Sequence, residues 1–435
     1  MNEKSLKLLL AALLICLACY LNSARYRPAR DVAHAMQLIQ ESYVEPVSQA
    51  ELKNAALSGL LESLDPNSSY VSEETLGRFN SVFEQRFAGL GVQVEGPPTK
   101  PAITVITTLY NSPAFRAGLL PGDVIVEIDG VDVRGLETSA VSKKISGEVG
   151  TQVQLGIERL GEKLNILATR EMIEVESVTG DRRNPDGTWD FQLQNHPRIA
   201  YIHTNIFGEK TAGEIQKAIE GVQDRVDAMI LDLRDNGGGL LKAAVDVCDM
   251  FLEDGSIVAT QGRGPSSSES VDAKPGTIVP MNLPIAVLIN QNSASASEVV
   301  AACLKDRNRA TIVGHRSYGK GSVQSVVPLE GGRAAIRLTT AYYYPPSGRR
   351  IHKRPRDSDA DEWGVIPSRN AEVSLSEEQL KRATERMRRR SDPLRNGSQL
   401  DHPLSNPDDP DDQQLAQDLQ LVRAIELLEA QIRSP

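Results

Sequence analysis

Two stretches, AMILDLR at 228–234 and LPIAVLIN at 283–290, stay apolar for the length of one strand, and segments with helical spacing stand on either side of them. A short unbroken apolar run bounded in this way reads as a buried strand. Between 199 and 344 such strands alternate with helices: IAYIHTNIF, the amphipathic EKTAGEIQKAIEGVQ, then AMILDLR, GGGLLKAAVDVCDMFL, LPIAVLIN, ATIVGHRSYGKGSVQSVVPL and AAIRLTTAYYY. That alternation implies an α/β core.

The rest of the chain is organised around this core. Residues 1–24 form a leader, and 25–86 a helical segment in which Val32, Met36, Ile39 and Tyr43, then Leu52, Ala56, Leu60 and Leu64, recur at helical spacing. LDPNSSY at 64–70 interrupts that pattern as a loop. Residues 87–172 are β-rich, with a short Pro-initiated helix at Ala114–Ala117, a turn at 121–123, a helix over 138–146 and a closing strand from Gln152 to Glu158. The core spans 173–395. A polar, Pro-rich linker and a last helix carrying Leu415, Leu419, Val422 and Ile425 occupy 396–435.

In the leader, Lys4 and Lys7 precede an uncharged run from Leu8 to Leu21. As a helix it would reach about 21 Å, short of the ~30 Å hydrocarbon core. It reads better as a secretory signal than as a span, with signal anchor and lipoprotein both open and no clear cleavage site. An extracytoplasmic location follows, with membrane attachment through the N-terminus as an option. Cys248 and Cys303 sit in apolar helical stretches, where buried thiols are the default, and spacing cannot decide whether they pair. A net charge of −10 excludes a nucleic-acid face. The one basic run, RMRRR at 386–390, reads as solvated helix surface. Six scattered histidines and no CxxC or HExxH indicate no metal site, and no cofactor is expected.

Three loops that follow strands carry reactive groups. NQNSASASE at 290–298 ends a strand and opens a helix, with Ser295 and Glu298 in capping-box register. Lys320 lies in YGKGSVQ, and DLRDNGGG at 232–239 ends another strand in glycines. A serine hydroxyl needs a base. No GxSxG surrounds a serine, and His315 is the one histidine in a comparable loop. A lysine serves only when neutral, and bringing one from about 10.4 to about 7 costs about 4.6 kcal/mol, which burial and nearby partial positive charge can supply. Gly319 and Gly321 let backbone close around Lys320, and the helix start at Ser295 adds positive potential. The N–H of Ala296 and that of a glycine at 237–239 are the natural oxyanion donors, and Gln324 could orient the amine.

SASASE, YGKGSVQ and DLRDNGG, in that setting, resemble the C-terminal processing peptidases, or tail-specific proteases, over roughly residues 30–370. The 87–172 unit resembles a PDZ domain, with Leu90, Gly91 and Val92 of GLGV at the loop that receives a peptide's terminal carboxylate. DPNSSY matches a further family segment. The resemblance implies Ser295 as nucleophile, Lys320 as general base, Gln324 as its orienting partner, and Gly238 and Ala296 at the oxyanion positions. It also implies a crotonase/caseinolytic-protease-like β/α core and a PDZ unit that recognises protein C-termini and gates activity, with a homo-oligomer or an adaptor both open. Two residues depart from the family pattern: Gly237 replaces a proline, freeing the backbone that presents Gly238, and Ser368 stands where aspartate is common. Three rival readings remain. One is a non-catalytic PDZ scaffold. Another is a phosphate loop in GHRSYGKG, which lacks the magnesium-binding hydroxyl because Gly321 occupies its position. The third is coenzyme A chemistry on a related fold, against which the leader argues.

Overall fold

The structure, a computed structural model, describes residues 13, 27–96, 103–264, 268–391 and 418–433. The leader apart from Leu13, the linker at 396–412 and Leu415 lie outside these residues. The chain divides into two units, 1–76 with 324–339 and 77–323 with 340–435.

In the first unit, helices α1 (Arg27–Ser42) and α2 (Gln49–Glu62) precede strand β1 (Ser69–Val71), which pairs antiparallel with residues 335–337. A capping box starts α2, with Ser48 Oγ accepting from Glu51 N–H (3.1 Å) and Glu51 Oε2 from Ser48 N–H (2.9 Å). The stripe of Val32 and Ile39 is helical but unburied, since no residue of α1 is buried.

The second unit holds two separate cores. The first lies within an antiparallel sheet of β2 (Val92–Glu95), β3 (Ile103–Thr108), β4 (Val124–Ile128), β5 (Gln152–Arg159) and β6 (Glu162–Thr169), paired in that order. Helix α3 (Thr138–Ile145) buries Val141 and Ile145 against it. The second core surrounds four parallel strands, β7 (His196–Thr204), β8 (Ala228–Asp232), β10 (Ile285–Ile289) and β11 (Thr311–Gly314), with β9 (Ser256–Gly262) in a neighbouring sheet. Because side chains alternate, Ala200, Ile202, Met229, Leu231, Val287 and Ile289 face one side, where helices α4 (Thr211–Val222), α5 (Leu241–Asp249) and α6 (Ala296–Asp306) cover them. Ile199, Tyr201, Ala228, Ile230, Ala286 and Leu288 face the other side. Crossovers of one hand leave that side bare, and helix α8 (Leu419–Arg433) covers it with Leu421, Ala424, Ile425 and Leu428. The buried stripe of α8 is thus set off from the one read from sequence: Leu419 is exposed, and of the predicted positions among the described residues only Ile425 is buried.

The basic run is a second correction. Arg386 and Arg390 lie one helical turn apart on α7 (Glu377–Arg390), and both are buried on the carboxylate of Asp181, with Arg386 Nη2 at 3.2 Å from Oδ1. Spacing of i, i+4 puts two charges of a basic run on one face, and a buried acid facing them turns that face inward.

Candidate active site

The strands β8, β10 and β11 end side by side, and the loops that follow them are bonded to one another. Asp235 Oδ1, after β8, accepts from the side-chain amides of Asn290 (2.9 Å) and Asn292 (2.7 Å), after β10. The Asn236 carbonyl accepts from Ala294 N–H (3.0 Å) and Ser297 Oγ (2.9 Å), and Ser293 Oγ donates to the Leu233 carbonyl (2.8 Å). Tyr318 N–H, after β11, donates to the Ser293 carbonyl (3.0 Å).

Ser295 precedes α6 with φ 55° and ψ −115°. A residue with a Cβ held there costs about 1–3 kcal/mol and persists only where its surroundings over-determine it. Those surroundings are visible. Glu298 lies fully buried on the first turn of α6, and its Oε2 accepts from the N–H groups of both Ser295 and Lys320, each at 2.8 Å. Its Oε1 accepts from Ser317 Oγ (2.5 Å) and Gly319 N–H (2.7 Å). From the other side, the buried Tyr343 hydroxyl lies 3.0 Å from the Ser295 carbonyl and is bonded to that of Lys320. One carboxylate and one phenol therefore clamp the backbones of Ser295 and Lys320 together. Burial pushes the Glu298 carboxyl up, against the pull of its four donors. Burial, and then the Glu298 charge, raise Tyr343 well above the usual phenol, which keeps its proton on and available to donate.

Gly238 has φ 104°, and a Cβ on it would come within 2.7 Å of Ser295 Cβ. Only glycine can bring backbone this close to the serine. Its N–H donates to Asn236 Oδ1 (2.9 Å). Ala296 is the first residue of α6, so its N–H belongs to the turn that has no carbonyl within the helix to meet. Gln324 lies in the first unit, where its Nε2 donates to Thr339 Oγ1 (3.4 Å) and Thr339 Oγ1 to Asp65 Oδ1 of DPNSSY (3.2 Å). Beneath the site, Arg234 is buried between Asp232 (Nη2 to Oδ2, 2.6 Å) and Asp418 (Nη1 to Oδ1, 2.8 Å), and Tyr201 Oη donates to Asp232 Oδ2 (2.8 Å).

In the β2–β6 unit, the carbonyl of Leu90 accepts from Ala114 N–H (2.9 Å), and that of Gly91 from Leu109 N–H (2.8 Å) and Ser112 Oγ (3.2 Å). Gly91 has φ 71°, and a Cβ there would fall 2.4 Å from Ser112 Cβ. Val92 opens β2, which pairs with β3 on one edge and has no second strand neighbour among the described residues.

Sequence reasoning found Glu298 only as a helix cap, and it missed Tyr343 and Asn236. The S-x-x-E register was the available signal for Glu298. The AYYYPP run carries none that separates Tyr343 from the tyrosines beside it. The phosphate-loop reading is overturned: after β11, the segment 315–321 leads into the strand Ser322–Leu329, whereas a phosphate loop opens a helix. Among the described residues, no group of three or more His, Cys, Asp or Glu could hold a metal ion.

Comparison with known proteins matches residues 198–365 to peptidase family S41, residues 105–159 to the PDZ domain, and residues 22–75 to the N-terminal domain of the activating protease CtpB. The carboxy-terminal-processing protease of Bartonella bacilliformis is 38% identical over 333 residues, covering 75% of this chain and 73% of that protein. A protein named as a CtpA-like serine protease in Staphylococcus saprophyticus is 29% identical over 357 residues, covering 80% and 70%. A crystal structure from Bacteroides fragilis titled as an S41 protease shares the fold, with a TM-score of 0.51 at 15% identity over 91% of this chain and 96% of that one.

Proposed function

The chain belongs to the carboxy-terminal-processing proteases of peptidase family S41 and carries a PDZ domain, and from that premise we propose a serine endopeptidase that selects substrates by their C-terminus. Ser295 Oγ attacks the scissile carbonyl while Lys320 Nζ, in its neutral form, takes the hydroxyl proton. The tetrahedral oxyanion is held by the N–H groups of Ala296 and Gly238. Lys320 returns the proton to the departing amine, which leaves an acyl-serine. Water, deprotonated by the same amine, then releases the acid and restores Ser295. Gln324 orients the lysine, and Leu90, Gly91 and Val92 receive the tail carboxylate while the peptide adds as a strand along β2. The leader supports an extracytoplasmic place, with attachment through the N-terminus as one form of it.

The observation that carries this reading is the single Glu298 oxygen that accepts from the N–H groups of both Ser295 and Lys320. The bond to Ser295 N–H completes the capping box of α6, whereas the second bond, to the Lys320 N–H distant in sequence, is none that a cap needs and supports a nucleophile held next to its base. The test is cleavage of a peptide with an apolar C-terminus. Ser295→Ala and Lys320→Ala should each abolish turnover, and a quenched reaction of the native protein should show an acyl adduct on Ser295 by mass. Undiminished turnover in either variant refutes the assignment.

A second reading, a PDZ scaffold without catalysis, has one observation in its favour. Gly238 N–H is occupied by Asn236 Oδ1, so the peptide must turn before that donor can serve an oxyanion. Tail binding by the native protein with no turnover would decide for the scaffold.

A further inference from the structure

The starts of β10 and β11 and the end of α6 line an open pocket of about 560 Å³, at the opposite end of α6 from Ser295. Its wall carries Lys305, Arg307, Arg309 and Arg369 and no carboxylate, in a chain whose net charge is −10; of the four, Arg307 is paired outside the wall with Asp254 (3.1 Å). Of the others, Arg309 is withdrawn from water and Lys305 is half-buried. Arg309 is 7% exposed, and its Nε, Nη1 and Nη2 all donate to carbonyls, those of Phe251 (2.9 Å), Leu283 (2.8 Å) and Pro280 (2.9 Å). Lys305 Nζ donates to the Ile366 carbonyl (2.6 Å). These bonds orient the charges without neutralising them.

Cations at a helix C-terminus ordinarily answer its unsatisfied carbonyls. Here that need is met by backbone. The carbonyl of Cys303 accepts from Arg307 N–H, that of Leu304 from Arg309 and Ala310, and that of Lys305 from Asn308. The positive charge in the wall therefore exceeds what the helix end uses, and a buried cation is costly until an anion meets it. Hydrogen-bonding capacity is also present. Ser368 Oγ accepts from Ile312 N–H (2.9 Å), which leaves its own proton to donate, and Gln431 reaches the wall from α8.

We propose that this pocket binds a small oxyanion of two or more negative charges, of the phosphate type, between the end of α6 and the C-terminal helix. The site is separate from the Ser295 loop and stands whether or not the peptidase reading holds. The probe is inorganic pyrophosphate, titrated calorimetrically into the full chain at low ionic strength, with sodium chloride of matched ionic strength as the blank. One saturable site is expected. Ser368→Asp keeps an acceptor for Ile312 N–H but adds a carboxylate to the wall, and Arg369→Ala removes an exposed cation. Each should weaken binding by about tenfold or more while leaving peptide cleavage and Tm as in the native protein. Bound pyrophosphate should also slow amide exchange over 419–433. Absence of saturable heat, equal affinity in both variants, or binding with unchanged exchange in α8 would each overturn the proposal.

Discussion

The three serines of SASAS divide their labour by a period of two. Ser293 and Ser297 are fully buried and donate to the carbonyls of Leu233 and Asn236, while Ser295 between them takes the strained conformation beside Lys320. Glu298→Gln should separate the roles of cap and clamp. The amide still reaches the same places but puts N–H against two of the four donors, so kcat should fall by about a hundredfold and stability by about 1–3 kcal/mol. Full activity with reduced Tm would reduce Glu298 to a cap. Tyr343→Phe removes only the hydroxyl that binds the Ser295 and Lys320 carbonyls. It should lower kcat by about tenfold with KM unchanged and a stability cost of about 1 kcal/mol, because the ring still fills its site. A rise in KM at constant kcat would place Tyr343 in substrate binding instead. Ser295 and Lys320 were legible as candidates because glycine spacing and the S-x-x-E register are local. Tyr343 was not, because which of three consecutive tyrosines turns inward is decided by packing that no local pattern records.

Among the elements, α8 contributes what the α/β pattern alone cannot. The three connecting helices are predictable from periodicity, but they share one face of the sheet, and the cover of the opposite face comes from a helix more than a hundred residues beyond β11. Leu421, Ile425 and Leu428 bury roughly 5–9 kcal/mol of apolar stabilisation as an upper estimate. Asp418, just before α8, also shares the buried Arg234 with Asp232. Deleting residues 418–433 should therefore cost more than lost burial, since Arg234 keeps one carboxylate where it had two, and a strongly lowered urea midpoint is expected. A near-native midpoint would mean the helix does not cover the sheet in solution. The same cluster predicts a pH dependence. Burial raises the Asp232 carboxyl, but the Arg234 guanidinium outweighs it and holds the group below its ordinary 3.8. A depressed folded value gives stability that is fully present above the unfolded value, about 3.9, and is lost as pH falls through the folded one. Urea unfolding of the native protein should weaken along that acid limb, and Asp232→Asn should lack this part of the slope while starting less stable. Arg386 and Arg390 teach the converse lesson. A basic run reads as surface until a buried acid, Asp181, lies opposite one turn of it, and Asp181 is some two hundred residues away.

At the scale of the molecule, the proposed recognition and the proposed chemistry fall in different cores of the second unit, so on that reading they should be separable by kinetics. If Leu90, Gly91 and Val92 hold the tail carboxylate, that contact is distant from the bond being broken and contributes equally to the bound substrate and the transition state. Uniform binding of this kind lowers KM without raising kcat. Amidating the C-terminus of a substrate peptide should then raise KM by about tenfold or more, the worth of a charge-assisted contact to backbone N–H groups, and leave kcat close to its original value. Gly91→Ala in the same assay should mimic amidation on the unmodified peptide, because a Cβ at φ 71° would strike Ser112 and displace the loop. With the amidated peptide, this variant should show no further loss, since the contact is already gone. Additive losses in the doubly altered case would mean that Gly91 acts by holding the sheet edge and not by receiving the carboxylate. Equal KM for the free and amidated peptides would remove the tail from recognition altogether, while leaving the Ser295 and Lys320 assignment to stand on the Glu298 clamp.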